Sequence, residues 1–551
     1  MSCVCKNCLD KERGYKNKSS YFIEETDNSA PRSIMDIKVS TGNVIVKRFK
    51  NVFDIYEKIF FLGKGSFGAV YKVQRKNLGG KKIIRALKEI NKELMLDNKE
   101  EIKNEIEILK KLDHPNIMKI YEFFEDDKKI YLINEFCGGG DISELNEKYG
   151  VFPEFLVKYI MFQVLLAISF LHSNKVIHGD IKRENIAVVH TKEKNKKEIN
   201  EFFKKIIQDK EIHSELAEAS GLENLTDKAL FIERELSNYD MKILDFGSAK
   251  MKKKGKLSGI IGTVFYRSPE AINNKYDFSC DEWASGVMMY ILLTGKPPFP
   301  GENTNEIFEN ILTTQPNFDL PEFKKITPNC IDLIKKLLEK DPEKRIKSHE
   351  ALKHVFFTQG INIGNLLSGQ YTDNTKILAS LIQRKRKDFH YKRRSKFRDV
   401  VIAYITLHFS SQNVRQEARQ IFMDMTEGNK NFLINKETFM KKMQRTFKDM
   451  SKHEMEDLFK FLDENETGNI EYEELVRALI DKDKIFTDKN LREAFSFFDK
   501  NNDGYISWNE IAEVVYPDGK IPQNTIEEFL KEIGQKDENM QINFEEFKKI
   551  L

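Results

Sequence analysis

Cysteine is scarce: six in 551 residues, at Cys3, Cys5, Cys8, Cys137, Cys280 and Cys330. Spacing that thin excludes a disulfide framework and points to a reducing, cytoplasmic setting. Uncharged apolar runs approaching about 18 residues are missing, so no membrane-crossing helix is expected. The net charge of +3 is too slight to imply nucleic-acid binding. Ser2 stands where N-myristoylation needs glycine. Acylation of Cys3 and Cys5, with membrane attachment, stays open beside two plainer readings: free thiols on a tail, or a metal site short of a fourth ligand. A hydrophobic content of 40% with 11% aromatics is ample for globular cores, and the length argues for two to four domains.

Residues 1–52 are polar and weakly patterned, and read as an extension without a core of its own, with a strand hint at Gly42–Val46. From Phe53 strand-like text dominates: Tyr56–Leu62, Ala69–Val73 and Ile83–Lys88. Ile102, Ile106 and Leu109 then recur at helical spacing, and after Pro153 long helical patterns take over. Strand-rich followed by helix-rich text predicts an α+β body with two lobes over 53–357. A charged stretch at about 190–238 reads as a surface insertion, and 358–409 as a polar, finally basic junction. Beyond 410 an internal repeat of roughly 36 residues predicts an all-α region of four helix-loop-helix units.

Between the first two strands lies Gly63-Lys64-Gly65-Ser66-Phe67-Gly68. Glycines there let backbone N–H groups approach phosphates closely, although the pattern alone is weak. Lys88 follows on the next strand but one and would hold the α and β phosphates, with Glu105 pairing to it from a helix. In His178-Gly179-Asp180-Ile181-Lys182-Arg183-Glu184-Asn185, Asp180 would accept the substrate hydroxyl's proton, Lys182 would neutralise the transferring phosphate and Asn185 would ligate magnesium. Asp245-Phe246-Gly247 supplies the main metal carboxylate, and Ser268-Pro269-Glu270 closes the segment. This ordered set is that of ATP-dependent phosphoryl transfer to protein hydroxyls.

Over about 53–357 the chain therefore resembles the eukaryotic protein kinases. The resemblance implies an ATP pocket made by Leu62, Gly63, Lys64, Gly65, Ser66, Phe67, Gly68, Val70, Ala86, Lys88, Glu135 and Cys137, with magnesium on Asn185 and Asp245. It also implies structural parts for Asp281 with Trp283, and for Arg345 with Glu270. Three positions depart from the pattern. Gly179 replaces the arginine that usually receives an activating phosphate, Lys250–Lys256 is basic, and Asn134 sits at the back of the pocket, where it narrows the space or binds a water. Asp141 and Glu184 match positions where basophilic kinases carry acids, which favours arginine or lysine before the target residue. Lys182 and Gly262-Thr263 suggest serine/threonine rather than tyrosine.

Calcium loops of this kind need oxygens at positions 1, 3, 5, 7 and 9, glycine at 6 and a bidentate glutamate at 12. The third loop has Asp499, Asn501, Asp503, Gly504, the Tyr505 carbonyl, Ser507 and Glu510; the second has Asp463, Asn465, Thr467, Gly468, Asn469, Glu471 and Glu474. Counted from Thr426 to Glu437, the first loop puts Lys430 on a ligand position, which argues against calcium. The fourth, 535–546, keeps Asp537, Asn539 and Glu546 but has Met540 at the turn.

Between the halves runs Arg384–Arg398, basic, followed by apolar Val400–Ile405. A basic helix with an apolar face suits the grip of calmodulin-like lobes, and its charges also suit the groove near Asp141 and Glu184. With this junction included, the chain resembles the calcium-dependent protein kinases of plants and protists over about 53–551. That resemblance implies ATP, Mg²⁺ and Ca²⁺ as cofactors, protein substrates, and a junction that obstructs the groove until calcium-loaded lobes capture it. A monomer is expected. Two other readings remain: an inactive, calcium-responsive kinase-fold scaffold, and a calcium-independent kinase using its loops for assembly.

Overall fold

The computed structural model describes residues 41–45, 47–48, 51–65, 68–76, 82–95, 99–191, 194–213, 226–252, 255–259, 261–359, 377–379, 381–382, 396–426, 433–516 and 541–551. Outside these lie Cys3, Cys5, Cys8, Ser66, Phe67, Lys253, Lys254, part of the insertion, the basic stretch 384–395, residues 427–432 of the first calcium loop and 535–540 of the fourth.

The first lobe is a six-stranded sheet in the order β1-β5-β6-β4-β3-β2. Its strands are β1 (Lys47–Arg48), β2 (Tyr56–Gly65), β3 (Gly68–Arg75), β4 (Ile84–Asn91), β5 (Ile120–Glu125) and β6 (Lys129–Glu135), with helix α1 (Lys99–Lys111) beside them. Among the described residues 41–45 there is no strand, and Val46 lies outside them. Thr41–Val44 is a 3₁₀ turn, and Val44, Ile45 and Val52 are buried, so the end of the extension is built into the fold.

The second lobe is helical: α2 (Ile142–Tyr149), α3 (Glu154–Ser173), α6 (Ser279–Thr294), α7 (Thr304–Thr313) and α8 (Pro328–Leu337). By length and composition α3 is apolar enough to span a membrane, against the sequence expectation, but 78% of that window is buried in the lobe's core. All sixteen residues of α6 are buried too. Helices hydrophobic all round belong in a protein interior.

Two short two-stranded sheets floor the cleft between the lobes. β7 (Val176–Ile177) pairs with β10 (Lys250–Met251), and β8 (Ile186–His190) pairs with β9 (Tyr239–Ile243). The insertion leaves β8 and returns into β9 through α4 (Lys196–Gln208) and α5 (Asp227–Leu236). A capping box at Asn195 starts α4, and Ile199, Phe203, Ile206 and Ile207 form its buried face. The insertion is thus anchored rather than loose at the surface.

The remaining described residues are mostly helical. Junction helix α9 (Lys396–Phe409) leads into α10 (Gln412–Thr426), α11 (Lys436–Thr446), α12 (Lys452–Leu462), α13 (Tyr472–Leu479), α14 (Asp488–Phe498), α15 (Trp508–Val515) and α16 (Phe544–Ile550). Two-residue bridges pair the loops, Ile434 with Ile470 and Ile506 with Ile542. Ile470, Ile506 and Ile542 are each eighth in their loops, so Ile434 is eighth in the first. That loop therefore runs 427–438, not 426–437. Glu437 falls at position 11, and Thr438, with a single side-chain oxygen, takes position 12.

Candidate active site and calcium loops

Lys88 projects from β4 and reaches Glu105 of α1 at 2.9 Å and Asp245 at 3.1 Å. Burial disfavours its ammonium, but Glu105 and Asp245 outweigh burial and hold its pKa above the ordinary range. Burial raises the Asp245 carboxyl in turn, and Lys88 prevails to hold it below the usual value. Asp245 has a left-handed backbone, φ +54°, which L residues adopt at a cost of order 1–3 kcal/mol unless the surroundings enforce it. Phe246, fully buried edge-on to His178, does so here.

Asp180 lies at the centre of a second cluster. Its Oδ1 accepts from the Thr263 hydroxyl (2.8 Å) and Thr263 N–H (3.1 Å), while Oδ2 faces Lys182 Nζ (2.7 Å) and Asn185 Nδ2 (3.0 Å). Lys182 also donates to Thr263 Oγ1 at 2.9 Å. The Asn185 amide hydrogens go to Asp180 and the Asp180 carbonyl, which leaves Oδ1 as its oxygen for a cation. One carboxylate and one amide oxygen suit magnesium, which keeps much of its water and takes phosphate oxygens for the rest. The set fits that ion.

The scaffold beneath is ionic. Asp281 accepts N–H bonds from His178 (2.9 Å) and Gly179 (2.8 Å), which fixes the catalytic loop. His172 is wedged against Asp281 and Glu282 at 2.9 and 3.2 Å. Burial would lower its pKa, yet the two acids push it up to about 10. Arg345 grips Glu270 through two nitrogens at 2.6 and 3.0 Å.

The other predicted residues have these settings. A Cβ on Gly68 would sit 1.8 Å from the Glu89 carbonyl, so that glycine serves strand approach, whereas Gly63 has open space. Leu62 is exposed above the cleft, and Val70, Ala86 and Cys137 are half-buried. The Glu135 carboxylate is engaged behind the hinge by Lys242 at 2.9 Å. Asn134 is buried with its Oδ1 unpartnered. Asp141 caps α2, accepting from Ser143 and Glu144, and Glu184 is exposed beside Arg183. A Cβ on Gly179 (φ +77°) would meet Ile261 Cδ1 at 2.1 Å. Ile261 thus fills the space beside the catalytic loop, and sequence reasoning did not find it.

The third loop is open: Asp499 accepts from Asp503 and Gly504 N–H groups, and Glu510 accepts from Lys500, Asn501 and Ser507. Gly504 (φ +87°) and Gly468 (φ +82°) make the turn that position 6 demands. The second loop makes the matching bonds, Asp463 to Thr467 and Gly468, Glu474 to Asn465 and Glu471. In both loops calcium would replace N–H groups as the partner of these oxygens.

The second loop is also part of a seam with the kinase lobes. Glu473 accepts from Arg415 (2.7 Å), lies 3.4 Å from Lys119, and donates its N–H to Asp113 at 2.7 Å. Burial raises the Glu473 pKa, but Arg415 and Lys119 hold it well below the usual range. Phe422 of α10 lies edge-on to His114, 5.8 Å between ring centres. Across the other end, Arg75 of β3 donates to Glu493 (2.8 Å) and Tyr404 (3.2 Å) and faces His408.

Junction helix α9 is held on both sides. Phe397 meets Phe498 and Phe547, and Tyr404 stacks on Phe497 at 4.4 Å. Val400, Val401, Ala403, Tyr404, Ile405 and Leu407 are all buried. Helix α9, the carboxyl-terminal end of the junction, therefore lies at the rear seam. The basic residues expected to obstruct the groove, 384–395, lie outside the described residues.

The protein kinase domain family matches residues 56–209 and 225–357, and EF-hand domain pairs match 433–481 and 488–551. Calcium-dependent protein kinase 4 of Plasmodium berghei (strain Anka) is 30% identical over 558 residues, covering 99% of this chain and 94% of the relative. The chain belongs to the calcium-dependent protein kinases. Calcium-dependent protein kinase 4 of Plasmodium falciparum (isolate 3D7) is 29% identical, covering 90% of this chain and 86% of its own length. Calcium-dependent protein kinase 5 of the same organism is 30% identical, covering 80% and 67%. The chain is thus a protein kinase with EF-hands, and the gap at 210–224 in the kinase match falls within the insertion.

Proposed function

We propose that this kinase transfers the ATP γ-phosphate to serine or threonine of protein substrates, and that calcium on the second and third loops switches it on. The arrangement that carries the reading is Asp180 bonded to Thr263, Lys182 and Asn185, with Lys88 already paired to Glu105 and Asp245. Asp180 orients the incoming hydroxyl and takes its proton. Lys182 shields charge on the transferring group, Lys88 holds the α and β phosphates, and Glu105 keeps Lys88 in place. Asn185 and Asp245 would hold magnesium, which would supply neutralisation of phosphate charge. Glu184 and Asp141 draw basic residues towards the groove, Asp141 with less freedom because it also caps α2.

Calcium acts through the seam. Loaded lobes hold α9 between them and rest on Arg75 and Asp113, and withdrawal of α9 takes the basic stretch off the groove. Reversing a 1:99 balance needs about 5.5 kcal/mol of differential binding. One site at a hundred times its dissociation constant contributes about 2.7 kcal/mol, so two sites just suffice.

Peptide phosphorylation is measured in micromolar calcium and in EGTA. Calcium-stimulated transfer, abolished by Asp180→Asn with a loss of about 10²–10⁴-fold, supports the reading. Equal turnover in both buffers refutes the switch, and unchanged transfer by Asp180→Asn refutes the role of Asp180. A chain ending near residue 358 separates two forms of the switch. Activity without calcium supports groove blocking, and silence means the docked lobes must brace the kinase.

A further inference from the structure

The β8–β9 hairpin has its two ends in different hands. At one end Asn185 precedes β8 and Asp245 follows β9, so both magnesium residues hang from the same pair of strands. The strands are buried almost throughout, and the Ile243 N–H donates to the Asn116 carbonyl on the loop beyond α1 at 2.9 Å. Five residues at about 3.3 Å each separate this end from the other, roughly 17 Å. A short turn would normally close the far end, but here the insertion does.

That far end is where α10 of the first EF-hand sits down. The Arg419 guanidinium is fully enclosed; its Nε lies 2.5 Å from Asp240 Oδ1 on β9, and Nη1 donates to the Ser237 carbonyl at 3.3 Å. Gln416, one turn earlier, donates to Asn238 at 3.2 Å. The insertion makes these acceptors available. Its return segment 236–239 is held by the Tyr159 hydroxyl, which donates to the Leu236 and Tyr239 carbonyls, and by Thr191 N–H on Asn238. Phe202 of α4 stacks flat on Tyr239, 4.9 Å away.

We infer that the insertion is a docking platform for the first EF-hand, and that Arg419 on Asp240 lets the calcium module set the position of the strand carrying Asp245. This deepens the regulation proposed above and rests on it for the direction of the calcium effect. Arg419 and Asp240 are positioning residues, since neither touches substrate. A buried ion pair at the closed end of a stiff hairpin fixes its tilt, and the tilt sets where the Asn185 and Asp245 oxygens at the open end stand relative to Lys88 of the first lobe.

The test uses the full-length chain with Arg419→Gln, Asp240→Asn and the double change. Calcium binding is followed by Trp508 fluorescence, since this tryptophan lies in the third loop and the only other, Trp283, is buried in the kinase core. At saturating calcium the half-saturating Mg²⁺ for phosphorylation should rise at least fivefold in each single variant, with no further rise in the double. The fluorescence titration should stay within twofold of the parent. Arg419→Lys, which keeps the charge, should recover part of the Mg²⁺ response. A Mg²⁺ requirement within twofold of the parent, or additive effects in the double variant, overturns the inference. Should the single variants misfold, hydrogen exchange of residues 239–245 in the unaltered chain decides: slowing on calcium addition supports it, and no change overturns it. An unaltered chain unresponsive to calcium removes the proposed switch, while the Mg²⁺ shift still judges the platform.

Discussion

The second and third calcium loops share one ligand pattern in sequence and are opposites in setting. In the second, the residue before the bidentate glutamate, Glu473, is enclosed by Arg415, Lys119 and Asp113, and burial pushes Glu474 itself up to about 8. In the third, the loop faces outward, with Tyr505 exposed and Lys500 paired to a surface Glu513. One loop is therefore part of a domain interface that happens to hold an ion site; the other is a sensor at a free surface. The same ligand pattern can report calcium through docking in one place and through local helix geometry in another.

The sharpest division between them is energetic. Glu473→Ala strands Arg415 in a buried seam, while Lys119 keeps Asp113 at 2.9 Å, and should cost about 3–5 kcal/mol in full-length unfolding. Glu513→Ala on the third loop's surface pair should cost no more than about 1 kcal/mol. Equal losses would erase the contrast. Next come the ligands themselves. Glu474→Gln and Glu510→Gln should each remove up to about 2.7 kcal/mol of calcium-linked activation, blunting the response rather than abolishing it. Calcium titrations of kinase activity would show whether loss of Glu474 also weakens the interface, as its setting predicts, while loss of Glu510 leaves it intact.

A smaller effect is expected from acid. Burial holds His114 neutral, with Lys242 and Arg419 adding repulsion, and lowers its pKa to about 3. The unfolded ring titrates near 6.5, so it binds more protons than the folded one between those values. Stability is then fullest above pH 6.5 and falls as pH drops below it, by at most about 1.4 kcal/mol per unit. Thermal unfolding at pH 7 and 5 should show this slope reduced in His114→Gln; an unchanged slope would place the acid sensitivity elsewhere.

How much of this was readable in advance depends on the range of the interactions involved. Lys88, Glu105, Asp180, Asn185 and Asp245 were found by type and order, and the structure brings them together. The isoleucines Ile434, Ile470, Ile506 and Ile542 recur every thirty-six residues and carried the correct register of the first loop, a signal passed over in favour of Glu437. The role of Gly68 in strand contact, and of Ile261 beside Gly179, had no signature of its own. Each depends on what another segment brings within van der Waals distance.

Phosphoryl-transfer and calcium-ligand chemistry demand particular side chains at short, rigid spacings, so the chain's text alone identified both halves and their order. Which loop is welded to the kinase, where α9 lies, and what Arg75, Asp113 and Asp240 touch were decided only in three dimensions. Those contacts join residues hundreds of positions apart, and their partners are chosen by burial and shape, which leave no fixed spacing to read.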